Sequence, residues 1–215
     1  MLKLSPRTTL TLTLGLLTVG LLTGCATTAP SEQAPSPAVS VDRQAAAVSA
    51  CADGNDCAIG DIGPGGGVVF YDAGSTQPWG RYLEAAPTGW HGTDIDPEAP
   101  WCDIQNEKLD GAGGDRIGTG DENTNEMVVK CSSGAANLAR AYTGGGKADW
   151  FLPSQAELSE LRKQMETVGY WGLKAYWSSS QSDNYYAKTQ NFPSGGWANY
   201  DDKSRTLGVR PIRAF

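Results

Sequence analysis

Cys51, Cys57, Cys102 and Cys131 are four of the five cysteines in the chain, and an even number of thiols in an exported protein is expected to form disulfides. Four cysteines allow three connectivities. Cys51 and Cys57 flank "ADGND", a turn-rich loop that can close on itself, which leaves Cys102 to pair with Cys131. A metal centre is the competing use of thiols, but no C-x-x-C pair occurs and the only histidine, His91, is far from zinc-site spacing. His91 would also have to be the base of any Ser-His-Asp or Cys-His arrangement. No G-x-S-x-G elbow accompanies it, so no catalytic residue is assigned and the domain is expected not to be an enzyme.

Oxygen ligands and aromatic faces gather in two other stretches. "DGAGGDRIGTGDENTNE", residues 110–126, offers Asp110, Asp115, Asp121, Glu122, Asn123 and Asn125 in a Gly-rich loop, the hard donors that calcium prefers. Its spacing is not that of an EF-hand. Asp110, Asp115, Asp121 and Asn123 are therefore carried as metal candidates, with calcium as a possible ion and no cofactor required. Further on, Tyr185, Tyr186, Trp197 and Tyr200 stand close to Asn184, Asn199, Asp201 and Asp202. Flat apolar faces beside a few placed polar groups suit a carbohydrate. These eight residues are the candidate ligand-binding set, while Trp150 and Trp177 are expected in the core.

Cys25 does something else. Lys3 and Arg7 precede an apolar run from about Thr8 to Leu22, the charged and apolar parts of an export signal. The run is shorter than the ~20 apolar residues of a membrane-spanning helix. Leu22-Thr23-Gly24-Cys25 resembles the bacterial lipobox, in which the thiol receives a diacylglycerol and the cysteine becomes the first residue after cleavage. Residues 1–24 are expected to be a lipoprotein signal peptide and Cys25 the lipidation site. At ~0.8 kcal/mol per buried methylene, two or three acyl chains hold a protein on a membrane, here on the extracytoplasmic side of the cell membrane.

Charge and composition set further bounds. Removing Lys3 and Arg7 leaves 15 of the 17 basic residues against 24 acidic ones, and the longest basic cluster is Arg162-Lys163. Nucleic-acid binding relies on clustered Lys and Arg and is not expected. Residues 26–50 hold three prolines, many Ala and Ser, and no aromatic, Leu or Ile, too little apolar surface to offset the entropy of ordering. Together with Cys25 they read as a tether with a reach of roughly 25 to 30 Å. All seven tryptophans, eight tyrosines and four phenylalanines follow Cys51. Residues 51–215 are expected to form one globular domain.

Several elements are legible within it. "GGGVVFYD" (65–72) and "GRYLEAAP" (80–87) read as strands of a hairpin around "AGSTQPW". A first helix is expected from about Thr124, with Met127, Cys131, Ala135, Leu138 and Tyr142 on one buried stripe. A second has Ser154 as N-cap, Glu157 completing a capping box, and Leu158, Leu161, Met165 and Val168 on one face before Gly169. Four short runs, "AYWSSS", "YYAKTQNF", "GWANYDD" and "TLGVRPIRAF", predict an antiparallel meander to the C-terminus, with Pro211 on an edge or at a bulge. The fold class is α+β, a hairpin and a C-terminal meander with two main helices.

The phrases "IGDIGPGGGVVFYDAG" (59–74), "GRYLEAAP", "IGTGDENT" (117–124), "DWFLPSQAEL" (149–158), "YWSSS" (176–180) and "VRPIRAF" (209–215) occur in an order that resembles a bacterial surface-domain family. That family is typified by the C-terminal domain of the Legionella collagen-like adhesin. The resemblance implies a compact domain similar to C-type lectin and formylglycine-enzyme-like folds, carried on exported proteins and in some members binding host or envelope glycans. It carries no catalytic motif onto this chain: the formylglycine chemistry needs a reactive cysteine pair late in the domain, and no cysteine follows Cys131. The expected function is a lipid-anchored, non-catalytic recognition domain for a glycan or other envelope or host ligand. The alternatives are an envelope hydrolase using paired carboxylates and a structural module that binds protein neighbours.

Overall fold

The computed structural model describes residues 51–169, 171–173, 175–192 and 196–215. The expected export signal, Cys25 and the expected tether lie outside the described residues.

The β-branched and aromatic run at Val68 starts β1 (Val68–Gln77), which pairs antiparallel with β2 (Gly80–Ala85). The strand does not stop at Asp72 as expected. It runs to Gln77, and Pro78-Trp79 alone make the turn. The extra residues are absorbed by register shifts, one of them between Asp72 and Gln77; there Asp72 Oδ1 accepts from the Gly74 N–H at 2.7 Å and the carboxylate pairs with Arg81 at 2.9 Å. A bulge of this kind bends a hairpin without ending it.

The other edge of β2 pairs with β8 (Ile212–Ala214), giving a three-stranded sheet β1-β2-β8. A second sheet has the order β3-β7-β4-β5-β6, from β3 (Glu98–Ala99), β4 (Ala175–Gln181), β5 (Tyr186–Asn191), β6 (Ala198–Asp202) and β7 (Leu207–Gly208). β4, β5 and β6 form the expected meander. The final run does not extend it: β7 returns to lie parallel to β4, and β8 crosses into the first sheet. Pro211 therefore sits in the crossover between two strands rather than on an edge, where its carbonyl accepts from the Ala86 N–H at 2.9 Å and no ladder donor is asked of it.

The expected helix over 124–142 is two helices, α1 (Gly120–Lys130) and α2 (Ala135–Ala141). Cys131 is extended, and Gly134 has φ +140°, a conformation that side-chain-bearing residues rarely adopt. A Cβ at Gly134 would lie 2.6 Å from the Trp101 carbonyl oxygen. The break is held from outside, because Cys131 is bonded to Cys102 and the Ser132 N–H donates to Asp103 at 3.0 Å. Met127, Cys131 and Ala135 still share a core, with Trp101, Cys102, Trp177 and Val209.

The second helix, α3 (Gln155–Lys163), carries the expected capping box: Ser154 Oγ accepts from the Glu157 N–H, and Glu157 Oε2 accepts from the Ser154 N–H at 2.7 Å. The chain leaves helical geometry at Gln164 and resumes for one turn in α4 (Met165–Val168). Leu158, Leu161 and Val168 pack with Phe70, Tyr176 and Phe192 in a second core. The fold is α+β with two open sheets, and the disulfides are Cys51–Cys57 and Cys102–Cys131.

The two bridges differ in reach, with sequence separations of 6 and 29. Replacing Cys102 and Cys131 by Ala should cost ~3 to 4 kcal/mol in denaturant unfolding, and replacing Cys51 and Cys57 clearly less, since loop-closure entropy grows with loop length. An equal loss for the two pairs would contradict that account.

Candidate functional site

Strands β5 and β6 are joined in an unbroken register from Tyr186↔Asp202 to Gln190↔Ala198, and the two-residue period of the strands sorts their side chains. Thr189, Asn191, Trp197, Asn199 and Asp201 fall on one face. Tyr186, Lys188, Gln190, Tyr200 and Asp202 fall on the other. Asn184 and Tyr185 are exposed on the turn between β4 and β5, where Asp183 Oδ1 accepts from the Tyr185 and Tyr186 N–H groups at 2.8 and 2.9 Å. The eight candidates thus occupy three places rather than one.

Asn199 and Asp201 border a groove with a cavity volume of about 450 Å³, whose lining also includes Glu98, Asn191, Arg205 and the apolar Leu207. Asp201 is nearly buried and fixed: Oδ2 accepts from Thr189 Oγ1 at 2.9 Å, and Oδ1 pairs with Arg205. Arg205 remains well exposed beyond that contact. No hydrogen bond among the described residues engages the side chains of Glu98, Asn191 or Asn199. Trp197, 74% exposed, adds a flat face on the same side by register. The groove therefore offers two amides, a carboxylate and a guanidinium, with an indole on the same strand face outside its lining, the components for holding hydroxyls and a sugar ring.

On the opposite face Tyr186 and Tyr200 are exposed, and Lys188 between them is paired with Asp115. Asp202 is tied into a turn: it accepts from the Ser204 N–H at 2.8 Å and Oγ at 2.6 Å, and these bonds hold its carboxyl below the usual range. Sequence reasoning missed Glu98, Asn191 and Arg205. Asn191 lies two residues beyond Thr189 on a period-two strand and Arg205 four beyond Asp201, which are usable signals. Glu98 arrives through β3 pairing with β7, and no local pattern marks it.

The metal candidates are dispersed among protein partners. Asp115 pairs with Lys188, and Asp121 with Arg140 at 2.6 Å. The Asn123 amide bridges the Gly114 carbonyl and N–H at 2.6 and 3.0 Å, while Asp110 is exposed. Among the described residues the one group of three metal-ligating side chains is Cys102, Asp103 and Cys131, and its two sulfurs are in a disulfide.

A second cavity of about 450 Å³ bears on the carboxylate alternative, since Trp79, Asp121, Glu122, Asp149, Phe151 and Glu157 line it. Burial pushes the Glu157 carboxyl up, against hydrogen bonds from the backbone of Ser154 and Gly118. Those two N–H groups lie 2.7 Å from its oxygens, so this carboxylate is occupied as a helix cap. Asp149 is partly desolvated, but Arg213 at 2.6 Å holds it below the usual range. His91 is exposed beside the Trp90 ring, 5.2 Å between centroids, with no hydrogen bond to a nucleophile among the described residues. Neither a protein-family model nor a curated protein matches this chain.

Lys203, directly after β6, is fully buried. Nζ donates to the Glu107 carbonyl at 2.8 Å and to Gln181 Oε1 at 3.2 Å, and sits 4.7 Å from the Trp101 ring centroid. Burial lowers its pKa from 10.5 to about 8. Between those values the unfolded chain binds the extra proton, so stability should rise from about pH 8 to 10.5. Unfolding at pH 7.5 and 9.5 should show this rise in the wild type and lose it in Lys203→Met; the same rise in both would remove Lys203 as its source.

The two exposure extremes make a paired test. Trp177→Ala, at a core position, should cost about 3 to 5 kcal/mol. Trp197→Ala should stay within about 0.5 kcal/mol. A large fall in melting temperature for Trp197→Ala would make that side chain part of the fold.

Proposed function

We propose that this chain is a lipid-anchored envelope protein, held on the membrane through Cys25, whose folded domain is a non-catalytic recognition module for a glycan. The observation that carries the reading is the groove on the Trp197 face of the β5–β6 pair: the Asn191 and Asn199 amides, Glu98 and Arg205 line a cavity of ligand size, and an exposed indole stands on the same strand face. Its polar groups are mixed in sign rather than basic. A neutral or amino-bearing glycan fits them better than a sulfated polyanion, which needs a cationic complement. The resemblance of the phrases at 59–74, 149–158 and 209–215 to the surface-domain family supports the same reading. Three of the four acids around Trp79, namely Glu157, Asp149 and Asp121, have a partner within the fold, which favours the non-catalytic form of it.

A glycan array probed with the full chain in detergent tests the proposal. Binding should concentrate on neutral or amino glycans, and Trp197→Ala should weaken it by ~30-fold, the ~2 kcal/mol of an aromatic anchor, with an unchanged melting temperature. Silence across the array, or equal binding by Trp197→Ala, would sink the groove as the site. Release of fragments from labelled peptidoglycan would point to the hydrolase instead.

A further inference from the structure

Among the described residues β6 ends the five-stranded sheet and pairs on one side only, with β5. Bonds at both ends fix the phase of its backbone: the Lys203 N–H donates to the Tyr185 carbonyl at 2.9 Å, and the Asn191 N–H donates to the Trp197 carbonyl at 3.1 Å. In antiparallel pairing such residues alternate. Residues 197, 199, 201 and 203 therefore direct their N–H and C=O groups at β5, while Ala198, Tyr200 and Asp202 direct theirs away from the sheet. The Asp202 carbonyl accepts from the Arg205 N–H at 2.9 Å. The remaining outward groups form a short template for another strand.

Folded proteins ordinarily blunt such an edge with proline, lysine, a bulge or a covering element. β6 contains neither Pro nor Lys, and its register with β5 is unbroken. Ala198, Asn199, Tyr200 and Asp202 are exposed, with Trp197 just before them.

We propose that β6 pairs with β6 of a second copy of this chain, antiparallel about a two-fold axis at Tyr200, so that two five-stranded sheets become one. The strand is self-complementary in that register. Ala198 faces Asp202 of the second copy, Asn199 faces Asp201, and Tyr200 faces Tyr200, so that no acid opposes an acid and all five residues have a facing partner, Asp202 through its N–H. A shift by one step in either direction leaves three of the five paired, and one of those shifts sets Asp201 against Asp201, a like-charge pair that destabilises a ladder. The two Tyr200 rings lie on the face away from the groove. Such an interface is isologous and closes at two copies.

Sedimentation of the full chain in detergent tests the pairing. Dimers are expected, and Tyr200→Pro should give monomers with little change in melting temperature, because proline deletes an outward N–H and none of the bonds to β5. Should that variant fail to fold, Tyr200→Cys decides the matter: facing residues of a hydrogen-bonded antiparallel pair have Cα atoms about 5.5 Å apart, within disulfide range. Mild oxidation should then cross-link Tyr200→Cys to a homodimer and Asn199→Cys poorly. A monomeric wild type without a Tyr200→Cys cross-link, or dimers that persist in folded Tyr200→Pro, would overturn the proposal. So would a Tyr200→Cys adduct with the mass of another protein, which would make the occupant an extended peptide.

Discussion

Glu84 lies on the middle strand of the three-stranded sheet with its side chain fully buried, and a carboxylate there costs several kcal/mol of desolvation unless its oxygens are met. They are met from two directions. The Gly65 and Gly67 N–H groups donate from the loop before β1, each at 2.9 Å, and Arg213 Nη1 donates from β8, also at 2.9 Å. The loop can come this close only without side chains, since a Cβ at Gly65 or Gly67 would lie 2.7 or 3.0 Å from a carboxylate oxygen. Gly65 and Gly67 thus serve close approach, and one buried charge binds the hairpin, its leading loop and the C-terminal strand together.

A second buried pair works on the same segment. Arg210 and Asp96 meet at 2.7 Å with both side chains about 1% exposed. Burial pushes the Asp96 carboxyl up, and Arg210 opposes that push. Arg210 also donates to the Ala86 carbonyl at 3.1 Å and lies 4.2 Å from the Trp171 ring centroid. Breaking a buried pair leaves an uncompensated charge and typically costs about 3 to 5 kcal/mol. Two such arginines, three residues apart around Pro211, draw the last run away from the meander and into the other sheet. Had it continued the meander, β6 would have had a neighbour on both sides; its open edge follows from buried electrostatics elsewhere.

The legible parts of the sequence were those whose determinants are local. Ser154 and Glu157 state a helix start within four residues, and the structure has that cap. The disulfide pairs, the meander core of β4 to β6 and the burial of Trp150 and Trp177 were legible for similar reasons. The rest depended on partners distant in the chain. Periodicity ran through Cys131 to Tyr142, but Asp103 and Cys102 hold the break at 131–134 from another loop. Strand pattern in "TLGVRPIRAF" was real, yet which sheet it joins is decided by Glu84 and Asp96, more than 110 residues earlier. The same limit applied to the groove: alternation separates Trp197 from Tyr200, while Glu98 enters only through tertiary pairing.

The tryptophans show how the fold divides its aromatic side chains. Trp101, Trp150 and Trp177 are fully buried, and each indole N–H donates to a backbone carbonyl: Ser178 at 2.8 Å, Gly144 at 3.1 Å and Ala99 at 2.8 Å. A buried indole needs such a partner, and in return it ties segments as far apart as Ala99 and Trp177. Trp197 has neither burial nor a partner among the described residues. Its apolar face stays in water, where it adds nothing to folding and keeps its contact area for whatever comes to it. The same division runs through the polar groups around it. Asp201 is bound by Thr189 and Arg205 and lines the groove, whereas the Asn191 and Asn199 amides have no bond to the described residues. A recognition surface is most economically placed on such groups, because the scaffold that positions them does not depend on them.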